Sequence, residues 1–286
     1  MRIFFLTFLI FSCQSRKQNH DHLPQKNSIL GLGGLLTPNP HKLKPLKEIL
    51  VINMDKSVDR WNRTSEGFKK EGLNVTRFPA VVGKNYESVY KTAPSIEGQM
   101  KFENVLQVLD EKKGYSYIFD TSQYRRMLSL GEIGNYLSIY EAYKKILRDH
   151  VEPVLLVEDD IVLMDHFKQR VETLMSYAPS DWDAIYLFCF GKSQDHPVVP
   201  NKRFVKLNPT DEHAAGNQAV VYNVKGVRKL IEGMMPITMP SDVRARKIFF
   251  NKENTGFHAY CALPEIVSTD EVESDIDAVD AGRSVK

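Results

Sequence analysis

The segment Val154-Leu155-Leu156-Val157-Glu158-Asp159-Asp160 constrains this chain more than any other: four apolar residues run straight into three carboxylates. After Pro153, an apolar run without polar alternation is the pattern of a strand buried on both faces, as in the inner strands of α/β sheets. In open α/β sheets ligands bind beyond the carboxyl ends of the strands, so three acids arrive where a ligand is expected. Adjacent like charges repel, and a hard divalent cation that takes carboxylate and phosphate oxygens is the natural counter-charge. The plain alternative is a solvated acidic turn that caps the next helix, since Asp is a common N-cap.

The 286 residues suffice for one large α/β domain or two small ones. A formal charge of +2 argues against a dedicated nucleic-acid binder, which would usually carry a basic stripe, and the chain has no 20-residue apolar run of the kind that crosses a membrane. The N-terminus is distinct. Arg2, an apolar stretch from Ile3 to Phe11 broken by Thr7, and Ser12-Cys13 form a minimal signal-like or lipoprotein-like segment over 1–13. It offers a route to membrane association. Residues 14–46 are polar, then rich in Gly and Pro, and read as a flexible linker. Three cysteines make no disulfide framework. Cys189 sits in an apolar run and reads as a buried small hydrophobe, and a Cys189–Cys261 bridge is left open.

The fold is expected to begin with a strand at Glu48–Asn53, a helix from Ser57 or Asp59 to about Glu71 with Trp61 and Phe68 facing inward, and a second strand over 74–81. From Gly83 to Arg126 the pattern is weak, an irregular insertion with one helix over Glu103–Lys112. Ser129-Leu130-Gly131-Glu132 is a capping box opening a helix with Ile133, Tyr136, Leu137, Tyr140 and Leu147 at helical spacing. Further elements are a helix over 165–177, strands over 183–190, 203–207 and 218–222, a helix capped by Asn223, and another from Ser241 through Phe250. The stretch after Leu263-Pro264 is acidic and is read as lacking core residues.

Three blocks stand in order along the chain. The first is Ile49 to Asp55 with Asp59-Arg60 and Phe78-Pro79-Ala80-Val81-Val82-Gly83. The second is Gly131-Glu132-Ile133-Gly134, Leu137-Ser138 and Leu155 to Asp160. The third and looser block is Trp182-Asp183, Tyr186-Leu187, Gly226, Pro240-Ser241-Asp242 and Ser274-Asp275-Ile276. Together they resemble glycosyltransferase family 25, which includes lipooligosaccharide and procollagen galactosyltransferases. The family usually has Cys after Glu-Ile-Gly and Ser-His further on, where this chain has Asn135 and Ser138-Ile139.

The resemblance implies a GT-A-like α/β domain over 47–276, with a mixed, mostly parallel central sheet flanked by helices and a tail over 277–286. It also implies a nucleotide-sugar donor, a UDP-sugar carrying galactose, a glycan or glycoprotein hydroxyl as acceptor, and Mn²⁺ or another divalent cation. Glu158 and Asp160 share one face of an extended segment and would meet the metal, while Asp159 would reach the donor. Asn53 and Arg60 follow the first strand, where the nucleotide would sit, although a structural salt bridge serves Arg60 equally well. Asp242 would be the base that takes the acceptor's proton, or else a helix N-cap. Glu132 is a second catalytic candidate, although the capping box explains it as well. His213 and His258 are further candidate ligands, each also readable as an ordinary polar or core histidine.

Two rival functions use the same residues: a glycan- or nucleotide-binding pseudoenzyme of the same fold, motivated by the missing Ser-His pair, and a metal-dependent phosphoester hydrolase. Nucleotide sugars and a signal-like leader are compatible in a eukaryotic secretory lumen, where the sequons at Asn62 and Asn74 would also matter. The alternative is the cytoplasmic face of a bacterial membrane.

Overall fold

The computed structural model describes residues 45–86, 106–110, 115–119, 128–189, 203–207, 216–235, 237, 239–249 and 256–269. The leader over 1–13, nearly all of the 14–46 linker, His213 and the 277–286 tail lie outside these residues.

The chain opens with β1 (Glu48–Asn53), α1 (Val58–Lys70) and β2 (Thr76–Pro79), with β2 parallel to β1. Phe68 is fully buried on the inner face of α1, and Trp61 packs against the same cluster. Ser57 holds the N-cap position without a capping hydrogen bond from its side chain. The helix expected over 103–112 is instead a strand: β3 (Leu106–Asp110) pairs antiparallel with β4 (Tyr115–Phe119) as a hairpin. The β-branched and aromatic residues of Val108, Tyr115, Tyr117 and Ile118 favour a pleated ribbon.

α2 (Leu130–Asp149) starts on the complete capping box: Glu132 N donates to Ser129 Oγ, and Ser129 N donates to Glu132 Oε2. It ends at His150, which adopts the left-handed conformation with φ 50°. The organising run forms β5 (Val154–Glu158), followed by the short β6 (Ile161–Leu163) and α3 (Phe167–Ser176). Then come β7 (Ala184–Tyr186), β8 (Phe204–Lys206), β9 (Ala219–Tyr222), α4 (Val224–Glu232), α5 (Ser241–Phe249), β10 (Ala259–Ala262) and β11 (Val267–Thr269). Asn223 caps α4, its Oδ1 accepting from Gly226 N at 2.6 Å.

Seven strands form one sheet in the order β2-β1-β5-β9-β7-β10-β8. β9 and β8 oppose the other five. The result is a mixed, mostly parallel sheet flanked by helices, an α/β fold consistent with a GT-A-like domain. Side-chain alternation explains why β5 is apolar from Val154 to Val157. Leu156 joins Leu50, Val220 and Tyr222 on the face covered by α2, α4 and α5. Leu155 and Val157 join Ile49, Val51 and Val221 on the face covered by α1 and α3.

β6 pairs with β11 antiparallel, and Ile266 and Val267 are buried. The stretch after Pro264 therefore contributes to the core, contrary to its acidic appearance. Cys189 and Cys261 are joined in a disulfide between the segment after β7 and β10. Among the described residues no helix is long and apolar enough to cross a membrane.

One backbone contact fixes the geometry near the site. A Cβ on Gly134 would lie 2.7 Å from Val81 O and 2.9 Å from Gly83 N, and one on Gly83 would run into Leu130 O. Ser138 Oγ accepts from Val81 N at 2.8 Å and donates to Gly134 O at 2.6 Å. The exit of β2 is thereby docked on the first turns of α2.

Candidate active site

β1 and β5 run parallel with Ile52 opposite Glu158, so Asn53 and the acid turn emerge at the same end of the sheet. Asn53 is 1% exposed. Its amide donates to Asp159 Oδ2 at 2.5 Å and to Ser57 O at 2.9 Å, while its Oδ1 accepts from Arg77 Nε at 2.7 Å. Arg60 Nη1 lies 3.4 Å from Asp159 Oδ1, and Thr64 donates to the Asp159 carbonyl at 2.9 Å. Asn53, Arg60 and Asp159 are thus brought together as a buried brace between β1, α1 and the acid turn. Both carboxylate oxygens of Asp159 are engaged within it.

The alternation that draws Asp159 toward α1 turns Glu158 the other way. Glu158 Oε1 accepts from Asn135 Nδ2 on α2 at 2.9 Å. Burial pushes the Glu158 carboxyl up to about 8, and repulsion from Asp160 adds to it, against the lowering effect of the Asn135 hydrogen bond. Asp242, second residue of α5, is also raised, chiefly by burial. Its Oδ1 accepts from Val243 N at 2.8 Å, and the Arg246 charge partly offsets the shift. Asp242 and Asp159 both contribute repulsion at Glu158, so the β5 acids and the start of α5 form one electrostatic unit. Beneath it, on the same sheet face, lie the buried phenols of Tyr143, Tyr186 and Tyr222, with Tyr143 donating to Tyr222 at 2.8 Å.

Glu132 closes the capping box of α2. His258 lies at the opposite end of the sheet, ahead of β10, where its Nδ1 is 2.9 Å from Asp181 and 3.1 Å from Lys206 Nζ. That position removes it from any ligand set with Glu158 and Asp160. Asp183 belongs to the same far end, fully buried and held by Lys229 at 2.6 Å and His258 N at 2.9 Å. Sequence reasoning missed Arg77, Asn135, Ser241 and Asn217 as site residues. The signals for them were Asn135, a polar residue one position after Glu-Ile-Gly, and Ser241 inside Pro240-Ser241-Asp242.

Among the described residues no set of three or more His, Cys, Asp and Glu gathers closely enough to hold a metal ion. The donor chemistry of Glu158 and Asp160 nonetheless fits an open oxygen site. Hard cations are often held by one or two carboxylates and completed by water and substrate phosphates.

The model of glycosyltransferase family 25 (LPS biosynthesis protein) matches residues 46–244. The chain belongs to glycosyltransferase family 25. It is 29% identical over 153 residues to a glycosyltransferase 25 family member of Aedes aegypti, covering 52% of this chain and 22% of the relative. A family member of Anopheles gambiae is 28% identical over 222 residues, 75% of this chain and 34% of the relative. Human procollagen galactosyltransferase 2 is 29% identical over 189 residues, 64% of this chain and 27% of the relative. The chain therefore spans between about a fifth and a third of the length of these relatives. Within the family pattern, the contact of Gly83 with Gly134 joins the opening block to the Glu-Ile-Gly block. At the position where the family usually has His, Ile139 is 2% exposed and packed in the core, so here that position serves packing.

Proposed function

We propose that this family 25 chain transfers a hexose, galactose in the first instance, from a UDP-sugar to a hydroxyl of a glycan or protein. The observation that carries the reading is the split of the acid turn at the carboxyl end of β5: Asp159 is held by Asn53 and Arg60, while Glu158 accepts from Asn135 on α2, with Asp160 near enough to repel it. These two carboxylates would hold Mn²⁺ or another divalent cation. When bound, the cation supplies positive charge beside the leaving diphosphate. Asp242 takes the acceptor hydroxyl proton, and its raised carboxyl is the stronger base for it. Glu132, engaged in its cap, is assigned to the fold. Asn53 and Asp159 support the nucleotide end from beneath, and Arg60, 16% exposed, is the member of that brace whose charge can also face a phosphate. The Cys189–Cys261 disulfide supports an oxidising compartment such as a secretory lumen.

The test is release of UDP from a panel of UDP-sugars with a hydroxyl acceptor, in Mn²⁺ and in chelator. Metal-dependent release with sugar transfer is expected. Tight donor binding without turnover would instead favour the pseudoenzyme, and failure to bind any nucleotide sugar would end the reading.

A further inference from the structure

One polar side chain holds the Glu158 carboxylate, and two more from separate segments hold that one in turn. Asn135 on α2 donates its amide to Glu158 Oε1 at 2.9 Å. Ser241, first residue of α5, donates to Asn135 Oδ1 at 2.7 Å. Asn217, ahead of β9, donates its amide to Ser241 Oγ at 3.1 Å. The main chain closes the circuit, since Glu158 N donates to Gln218 O at 2.9 Å. The ring thus begins and ends on Glu158.

The direction of every bond in this ring is forced from one end. In the ionised form that binds a cation the Glu158 carboxylate only accepts, so Asn135 then turns its NH₂ toward Glu158 and its oxygen toward Ser241. The serine hydroxyl has one proton, which goes to that oxygen, so its lone pair must receive the NH₂ of Asn217. This polarity leaves Asn217 Oδ1 as a buried acceptor without a hydrogen-bond partner among the described residues, in a residue only 8% exposed. Buried acceptors are rarely left unpaired.

We propose that Asn135, Ser241 and Asn217 are positioning residues. They form a one-way relay that fixes the Glu158 carboxylate for cation binding and locks α5, which carries Asp242, to the acid turn. The proposal rests on the reading of Glu158 as a cation ligand. Groups that orient a metal ligand typically alter affinity tenfold or more when removed. The relay also explains why this chain carries Asn135: a side chain that donates at one end and accepts at the other is required to link Ser241 to Glu158.

The experiment measures Mn²⁺ affinity of the full chain without donor, from the electron paramagnetic resonance signal of free Mn²⁺, with melting temperatures in parallel. Asn135→Ala is expected to weaken binding by roughly tenfold, and Ser241→Ala several-fold. The double variant should bind no more weakly than Asn135→Ala alone, because Ser241 reaches Glu158 only through Asn135. Asn223→Ala, which removes a helix cap at the far end of the sheet, should lower the melting temperature and leave affinity unchanged. Wild-type affinity in both single variants, or independent additive losses in the double, would overturn the relay. If Asn135→Ala does not fold, Ser241→Ala alone decides: unchanged affinity refutes it. A wild-type chain that binds no Mn²⁺ removes the cation reading itself and the relay's role with it.

Discussion

Glu158→Gln tests the electrostatics of the site without any substrate. The folded chain holds the Glu158 proton up to about pH 8, against an ordinary value of 4.5, because burial and the neighbouring Asp160 penalise the charged form. Between these values the folded state binds more protons than the unfolded state, so stability must fall as pH rises through the window. At about 1.4 kcal/mol per pH unit, the full effect is on the order of 5 kcal/mol, reduced by whatever relaxation accompanies ionisation. Glutamine has nearly the same shape, can still accept from Asn135 and never ionises, so the variant should lose most of this falling limb. Asp242, raised in the same direction, leaves a residual slope that begins at lower pH. The assay is denaturant unfolding from pH 5 to 8.5 in chelator, for both proteins. Adding Mn²⁺ at high pH should restore stability to the wild type and not to the variant. Parallel pH profiles for the two proteins would refute the assignment of the buried charge to Glu158.

Asp160→Asn should reduce sugar transfer at least about a hundredfold, as for loss of other electrostatic stabilisers, while the melting temperature in chelator stays level or rises; near-normal turnover would sink the metal assignment at Asp160. Gly134→Ala forces a Cβ against Val81 O and Gly83 N and should cost about 1–3 kcal/mol as an overpacked contact, read as a lowered denaturant midpoint; an unchanged midpoint would show that the β2–α2 docking is loose. Replacing Cys189 and Cys261 by Ser opens a disulfide with a sequence separation of 72 and should lower stability by about 4 kcal/mol; a double variant as stable as the wild type would remove the bridge from the account of the fold.

What the sequence disclosed depended on how local each signal is. β1, α1, β2 and β5 were legible because their apolar residues are contiguous or periodic. The starts of α2 and α4 were legible because Ser129–Glu132 and Asn223 carry their caps within one turn. The β3–β4 hairpin was misread since its strands are only five residues each, too short for alternation to stand out from a helical pattern. β6, β10 and β11 are shorter still, and each is a strand only because a partner distant in sequence pairs with it. The acids at 158–160 were visible as a cluster, but their division was not. Asp159 turns inward because Asn53, 106 residues away, meets it, and Asn135 finds Ser241 across another 106. No local pattern reports such partners.

The same comparison bears on why the site is left charged. This chain is able to neutralise buried acids when nothing else is required of them. Asp183, fully buried at the far end of the sheet, receives Lys229 at 2.6 Å, Lys225 at 3.6 Å and a backbone N–H. Asp159 receives Arg60 and Asn53. Glu158 receives the neutral amide of Asn135, itself held by a ring of neutral groups. An arginine on that carboxylate would relieve the repulsion, and it would also occupy the place of the proposed cation. The electrostatic cost therefore falls on the two carboxyls whose raised proton affinity marks them, Glu158 and Asp242, both facing α2 and α5. The brace around Asp159 offsets the charge of the third acid, whose repulsion at Glu158 is smaller than that of Asp160 or Asp242, so most of the repulsion stays on one side of the turn, away from the β1–α1 unit.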